Sequence, residues 1–207
     1  MIYLESGDKM IESLSKYISH FLYKNKIVDE DDLSIYQYGF EIIISTLLGF
    51  LITILIGIVL KMIFTSILYY IIFVFVRQLT GGYHANSYFK CNLIFAIISF
   101  MTLGITKLAV ISEQYTFAFY LILLITSLLI IGLYSPVENE FKPLDAKQKK
   151  KNHIIGFIFG SLLSIISCIL FHFTVKISIL ITLTLFMISM LIVIERIRKG
   201  GKEDEKY

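Results

Sequence analysis

Apolar residues in this chain gather into long runs that charges interrupt only at their ends. A helix crossing a bilayer needs about 20 mainly apolar residues, and the runs at 42–60, 62–76, 91–106, 114–137, 154–175 and 177–194 approach or reach that length. Lys61 separates the first two, Arg77 closes the second, Lys107 and Glu113 follow the third, and Lys176 divides the last two. The pattern predicts an all-α, polytopic integral membrane bundle of about six transmembrane helices in three hairpins, occupying residues 41–207. The run at 62–76 is short, so four spans with a re-entrant segment is the alternative.

Ahead of the spans, residues 1–40 have a different periodicity. Leu4, Met10, Ile11, Leu14, Ile18, Phe21 and Leu22 recur at helical spacing, with Glu12, Ser15, Lys16 and Ser19 on the other face. Such an arm either lies in the cytoplasmic membrane interface or packs across the inner face of the bundle. The acids Asp29, Glu30, Asp31 and Asp32 suit the start of the helix that leads into the first span. Charges at Glu5, Asp8, Lys9, Glu12 and Lys16 argue against a signal peptide. No internal repeat supports an inverted-repeat transporter.

Composition sharpens the class. Apolar residues make up 57 % and charged residues 17 %, against roughly 45–50 % and about 25 % in soluble domains. With a mean hydropathy of +0.78, the chain has too little polar surface to coat a water-soluble globule. An ordinary soluble enzyme, a disordered chain and a nucleic-acid binder are thereby excluded, and a net charge of +3 is too mild to attract nucleic acid. Orientation follows from the basic residues, which stay in cytoplasmic loops. They gather in the arm (Lys9, Lys16, Lys24, Lys26), in the 138–153 loop (Lys142, Lys147, Lys149, Lys150, Lys151) and in the tail (Arg196, Arg198, Lys199, Lys202, Lys206). The opposite turns hold one lysine each. Both termini and segment 77–91 are therefore expected on the cytoplasmic side.

Segment 77–91 reads RQLTGGYHANSYFKC and is where chemistry concentrates. Gly81-Gly82 breaks the preceding helix and opens backbone conformations closed to other residues. Cys91 is a candidate nucleophile, since a neighbouring imidazole or a helix N-terminus favours a thiolate. Asn86 or Ser87 would cap the third span and set Cys91 in its early turns. Seven residues of unbroken helix rise about 10.5 Å, so His84 meets Cys91 only if 81–87 folds back. Cys168 and His172, four apart, form a second Cys-His pair on one face of the fifth span. Nearby small residues (Gly156, Gly160, Ser161, Ser164, Ser167) favour helix packing there instead. His20 and His153 read as solvated surface groups. Two cysteines make no disulfide framework, and no tetrahedral ligand spacing predicts a metal.

The string RQLTGGYHA, with a cysteine seven residues after the histidine, resembles the signature of the accessory gene regulator B (AgrB) family, membrane peptidases of peptide quorum sensing. Chain size, amphipathic arm, multiple spans and a central basic loop extend the resemblance over most of the sequence. It implies a cell-membrane cysteine endopeptidase, without a cofactor, that processes an AgrD-type precursor of an autoinducing peptide. On that resemblance Cys91 is the nucleophile and His84 its general base and acid. Arg77, Gly81 and Gly82 match further motif positions, and a homodimer is implied. Arg77 either pairs with a carboxylate, Glu41 being one candidate, or snorkels to the interface. The Gln78 amide and backbone N–H groups near Cys91 are candidate oxyanion donors. Lys147, Lys149, Lys150 and Lys151 either dock an acidic precursor tail or serve only topology and contact with membrane lipid. The competing classes are a small multi-pass transporter and a non-enzymatic membrane subunit.

Overall fold

A computed structural model describes residues 2–83, 85, 87–113, 116–137 and 145–204, with side chains described within residues 7–199 of those ranges. Seven α-helices follow one another among them: α1 (Ile2–Lys24), α2 (Leu33–Val59), α3 (Ile63–Thr80), α4 (Tyr88–Ser112), α5 (Phe117–Tyr134), α6 (Ala146–Leu170) and α7 (Val175–Asp204). A 3-10 turn over Glu30–Asp32, built from the acidic cluster, leads into α2. Six of the helices, α2 to α7, are long and apolar enough to cross a membrane. The shortest, α3 and α5, have 18 residues each, about 27 Å of rise against a hydrocarbon core of about 30 Å. The chain is an all-α, multi-pass membrane bundle, and the short second run forms a continuous helix rather than a re-entrant turn.

Helix ends overrun the apolar runs. Residues 146–153, read as loop, form the first two turns of α6. The Asp145 side chain caps them by accepting a hydrogen bond from the Gln148 N–H at 2.6 Å, and Ala, Lys and Gln are good helix formers. At the other end α6 stops at Leu170, so His172 lies in the following turn and not on a helix face shared with Cys168. Its ring instead lies 5.8 Å from that of Phe117.

The chain divides into two compact units, Met1–Leu55 with Ala85–Ile97, and Ile56–His84 with Ile98–Tyr207. In the second, α7 packs against α3, α5 and α6 and buries Ile179, Leu180, Leu185, Ile188 and Ile192 completely. Small residues on α6 allow the close approach expected of them. Gly156 packs beside Leu79 and Thr80 of α3, and Gly160 beside Leu128 of α5, with ordinary contact distances of 3.4 and 3.5 Å for an added Cβ. Ser167 bonds to Ser178 and Thr182 of α7 at 3.0–3.1 Å. His153 is no free surface group: its Nδ1 lies 2.6 Å from the Ser135 carbonyl oxygen, which accepts the hydrogen bond.

In the first unit, the arm forms the single long helix α1. Ser15 and Ser19 are buried with Ile11, while Met10, Leu14 and Phe21 remain exposed. The serines are small enough to bring α1 close to its neighbours, and Ser15 Oγ donates to Glu41 of α2 at 3.4 Å.

Candidate active site

Segment 77–91 begins at the end of α3. Gly81 stops that helix at φ +71°, and Gly82 follows at φ +135°, both on the side of the backbone map that favours glycine. The Gly81 N–H still closes on the Arg77 carbonyl at 2.9 Å. Beyond it the chain is held from two sides. Val137 N–H donates to the Thr80 carbonyl at 3.0 Å, making an isolated parallel bridge between Gly81 and Val137. On the opposite side, the Tyr83 N–H donates to the Leu191 carbonyl of α7 at 3.2 Å.

Arg77 turns back over this segment. Its Nη2 donates to the Tyr83 carbonyl, and its guanidinium lies 5.6 Å from the centre of the Phe73 ring. These contacts brace the glycine turn, which the sequence alone does not suggest for Arg77. Gln78, on the last turn of α3, has an exposed side chain. His84 and Asn86 lie outside the described residues.

Cys91 is half-buried in the first turn of α4, its N–H bonded to the Ser87 carbonyl at 3.0 Å. Ser87 is the cap that the sequence suggests, with Oγ accepting from the Lys90 N–H at 3.2 Å. A second cap arrives from α1: Asp8 Oδ1 accepts from the Phe89 N–H at 2.9 Å. Two of the N–H groups that a helix start leaves unpaired are thereby satisfied. Gly7 keeps that approach open, because a Cβ there would lie 3.1 Å from the Phe89 ring. Glu41 serves the same helix start, accepting from Tyr88 Oη at 2.9 Å and from Gln37 Nε2 at 3.2 Å. Cys91 therefore sits in the capped first turn of α4, directly after the segment that the glycine turn opens.

Lys147, Lys149, Lys150 and Lys151 are exposed on the first two turns of α6. Cys168, near the far end of α6, is half-buried. Sequence reasoning missed Glu195 and Arg198, which it passed over or counted as tail. In the continued α7 they pair at 2.8 Å with Glu195 buried, and Arg198 lies 5.2 Å from the centre of the Tyr83 ring. Their i, i+3 spacing was the available signal.

The family model of accessory gene regulator B matches residues 15–194. An AgrB-like protein of Clostridium perfringens strain SM101 is 26 % identical over 167 residues, 76 % of this chain and 78 % of that protein. Another from Clostridium beijerinckii is 33 % identical over 144 residues, covering 69 % of this chain and 70 % of the relative. No solved structure matches. With the family match reaching from the buried face of α1 well into α7, and taking in the glycine turn and Cys91, the chain belongs to the accessory gene regulator B family.

Proposed function

We propose that this chain is a cell-membrane cysteine endopeptidase of peptide quorum sensing. It cleaves an AgrD-type precursor near its C-terminus and promotes closure of a thiolactone or lactone ring. The carrying observation is Cys91, a half-buried thiol in the capped first turn of α4, ten residues after the glycine break in a family-type motif. His84 is the general base and acid, Gly81 and Gly82 give the fold-back its freedom, and Arg77 braces it. Both termini and the site face the cytoplasm, and the protein works as a homodimer.

The chemistry is two acyl transfers. His84 takes the Cys91 proton, the thiolate attacks the scissile carbonyl, and backbone N–H groups or the Gln78 amide steady the oxyanion. The C–N bond breaks, and the C-terminal fragment leaves as an amine carrying the proton from the imidazolium. An internal thiol or hydroxyl of the precursor then gives its proton to His84 and attacks the thioester, closing the ring and releasing Cys91. Thioester exchange is nearly balanced, whereas forming a thioester from an amide is uphill, so loss of the C-terminal fragment drives the sequence. Water competes in the second step; a site shielded by the membrane edge and a bound precursor thiol favour ring closure.

The test is cleavage of a co-expressed precursor, followed by mass spectrometry of the released fragment. Cys91→Ala abolishes cleavage with normal accumulation in the membrane, and Cys168→Ala retains most of it. His84→Ala blocks the thioester and slows alkylation of Cys91. Exchanged outcomes for the two cysteines would overturn the assignment.

A further inference from the structure

The Gly81–Tyr83 turn is held by more than its own motif. Tyr83 is held at three points: its N–H by the Leu191 carbonyl, its carbonyl by Arg77, and its ring by the Arg198 guanidinium at 5.2 Å. Two of these grips come from α7. Gly82 contributes by its backbone, whose φ of +135° few other residues adopt. One helical turn after Leu191, Glu195 is only 2 % exposed, and its Oε1 accepts from Arg198 Nη2 at 2.8 Å. Its Oε2 is buried with no hydrogen-bond partner among the described residues. An unsatisfied buried acceptor costs stability, which argues against a purely stabilising purpose for this carboxylate. Both residues lie beyond 194, where the family match ends.

We infer that Glu195 and Arg198 are positioning residues for the peptidase reaction: Glu195 aims Arg198 onto the Tyr83 ring, and the pair fixes the glycine turn that leads into His84. The inference rests on the proposed peptidase reading. Two consecutive glycines give the turn freedom to fold back, but the same freedom lets it wander. A clamp on the next residue removes the unwanted conformations without stiffening the glycines. Misplacement of a reacting group by about 1 Å costs on the order of a hundredfold in rate, so a loosened clamp acts on turnover and leaves precursor binding alone.

The experiment uses the full chain carrying Cys168→Ala, in membrane vesicles. Glu195→Gln and Arg198→Gln lower kcat for precursor cleavage by roughly ten- to a hundredfold, with KM little changed. The neighbouring control Arg196→Gln, whose guanidinium lies over Tyr134 at 5.8 Å, leaves both constants as they are. Tyr83→Phe, which keeps the ring, retains most of the rate, and Tyr83→Leu falls with Arg198→Gln. The double variant Tyr83→Leu/Arg198→Gln is no worse than either single one, because both remove one interaction. Hydrogen exchange gives a readout that needs no reaction: the Tyr83 amide exchanges about tenfold faster in Glu195→Gln, while α3 and α7 amides stay protected. Should Glu195→Gln accumulate poorly, Arg198→Lys, which keeps the ion pair but loses the flat guanidinium, gives the same comparison. Additive losses in the double variant, a rise in KM alone, or unchanged Tyr83 exchange would overturn the clamp. Continued cleavage by Cys91→Ala would instead overturn the peptidase reading, and the exchange result would still decide the clamp.

Discussion

At the residue scale the two glycines of the motif are not equivalent, although the sequence presents them as a pair. Gly81 combines a positive φ with direct contact: a Cβ there would run into the Val137 backbone. Gly82 has the positive φ, but its Cβ would find ordinary packing distance at Leu191. Gly81→Ala therefore meets both backbone strain, about 1–3 kcal/mol, and a clash that rigid backbone cannot relieve, whereas Gly82→Ala meets the strain alone. The expected order, by thermal unfolding of detergent-solubilised protein, is wild type, then Gly82→Ala, then Gly81→Ala. Equal losses would mean that the bridge to Val137 gives way easily. The sequence made the break legible, because consecutive glycines after an apolar helix have few other readings. It gave no sign that Val137 or Leu191 would hold the turn, since both pairings join residues more than fifty positions apart.

At the scale of elements, hydropathy located the spans but not the helix ends. Hydropathy reports which residues suit hydrocarbon; a helix can start at a capped polar turn or run on through residues of good helix propensity. Accordingly α6 starts behind its Asp145 cap at Ala146, eight residues before its apolar run, and α7 continues through the i, i+3 pair of Glu195 and Arg198. On the arm, a serine reads as polar in sequence, yet its small size also suits a buried face. The helical start of α6 also changes the expectation for the lysines. At 100° per residue, Lys147, Lys150 and Lys151 share a stripe, and Lys149 points to the other side. If that stripe docks an acidic precursor tail, Lys147→Gln and Lys150→Gln each weaken capture more than Lys149→Gln, and the differences shrink as salt screens the charges. Glutamate at the same positions is worse, and precursors with tail acids changed to lysine recover part of their cleavage by the glutamate variants. Equal effects from all positions would leave the lysines as topology signals. Capping gives a separate test: Asp145→Ala removes the bond to the Gln148 N–H and costs about 1 kcal/mol, seen as faster amide exchange confined to the first turn of α6.

For the whole molecule, the connection of six helices turns orientation into an alternation that one labelling experiment can read. Basic residues gather at the start of α6 and beyond the apolar part of α7, whereas the turn after α2 and the flanks of the turns after α4 and α6 hold one lysine each. The positive-inside rule leads to the expectation that the lysine-rich ends lie in the cytoplasm. If six helices cross in alternation, the end of α3 and the start of α4 fall on that same side, the side on which the proposed reaction needs Cys91 to meet its precursor. Single cysteines are placed, in a background lacking Cys91 and Cys168, at Lys90 and Gln148, both exposed, and at Glu113 and Thr174, exposed in the turns after α4 and α6. A membrane-impermeant maleimide added to intact cells labels positions 113 and 174 and spares 90 and 148 until the membrane is opened. Labelling of 90 and 148 from outside would invert the bundle and move the proposed chemistry to the outer face. Labelling of 90 and 113 from the same side would break the alternation itself, because α4 would then fail to cross.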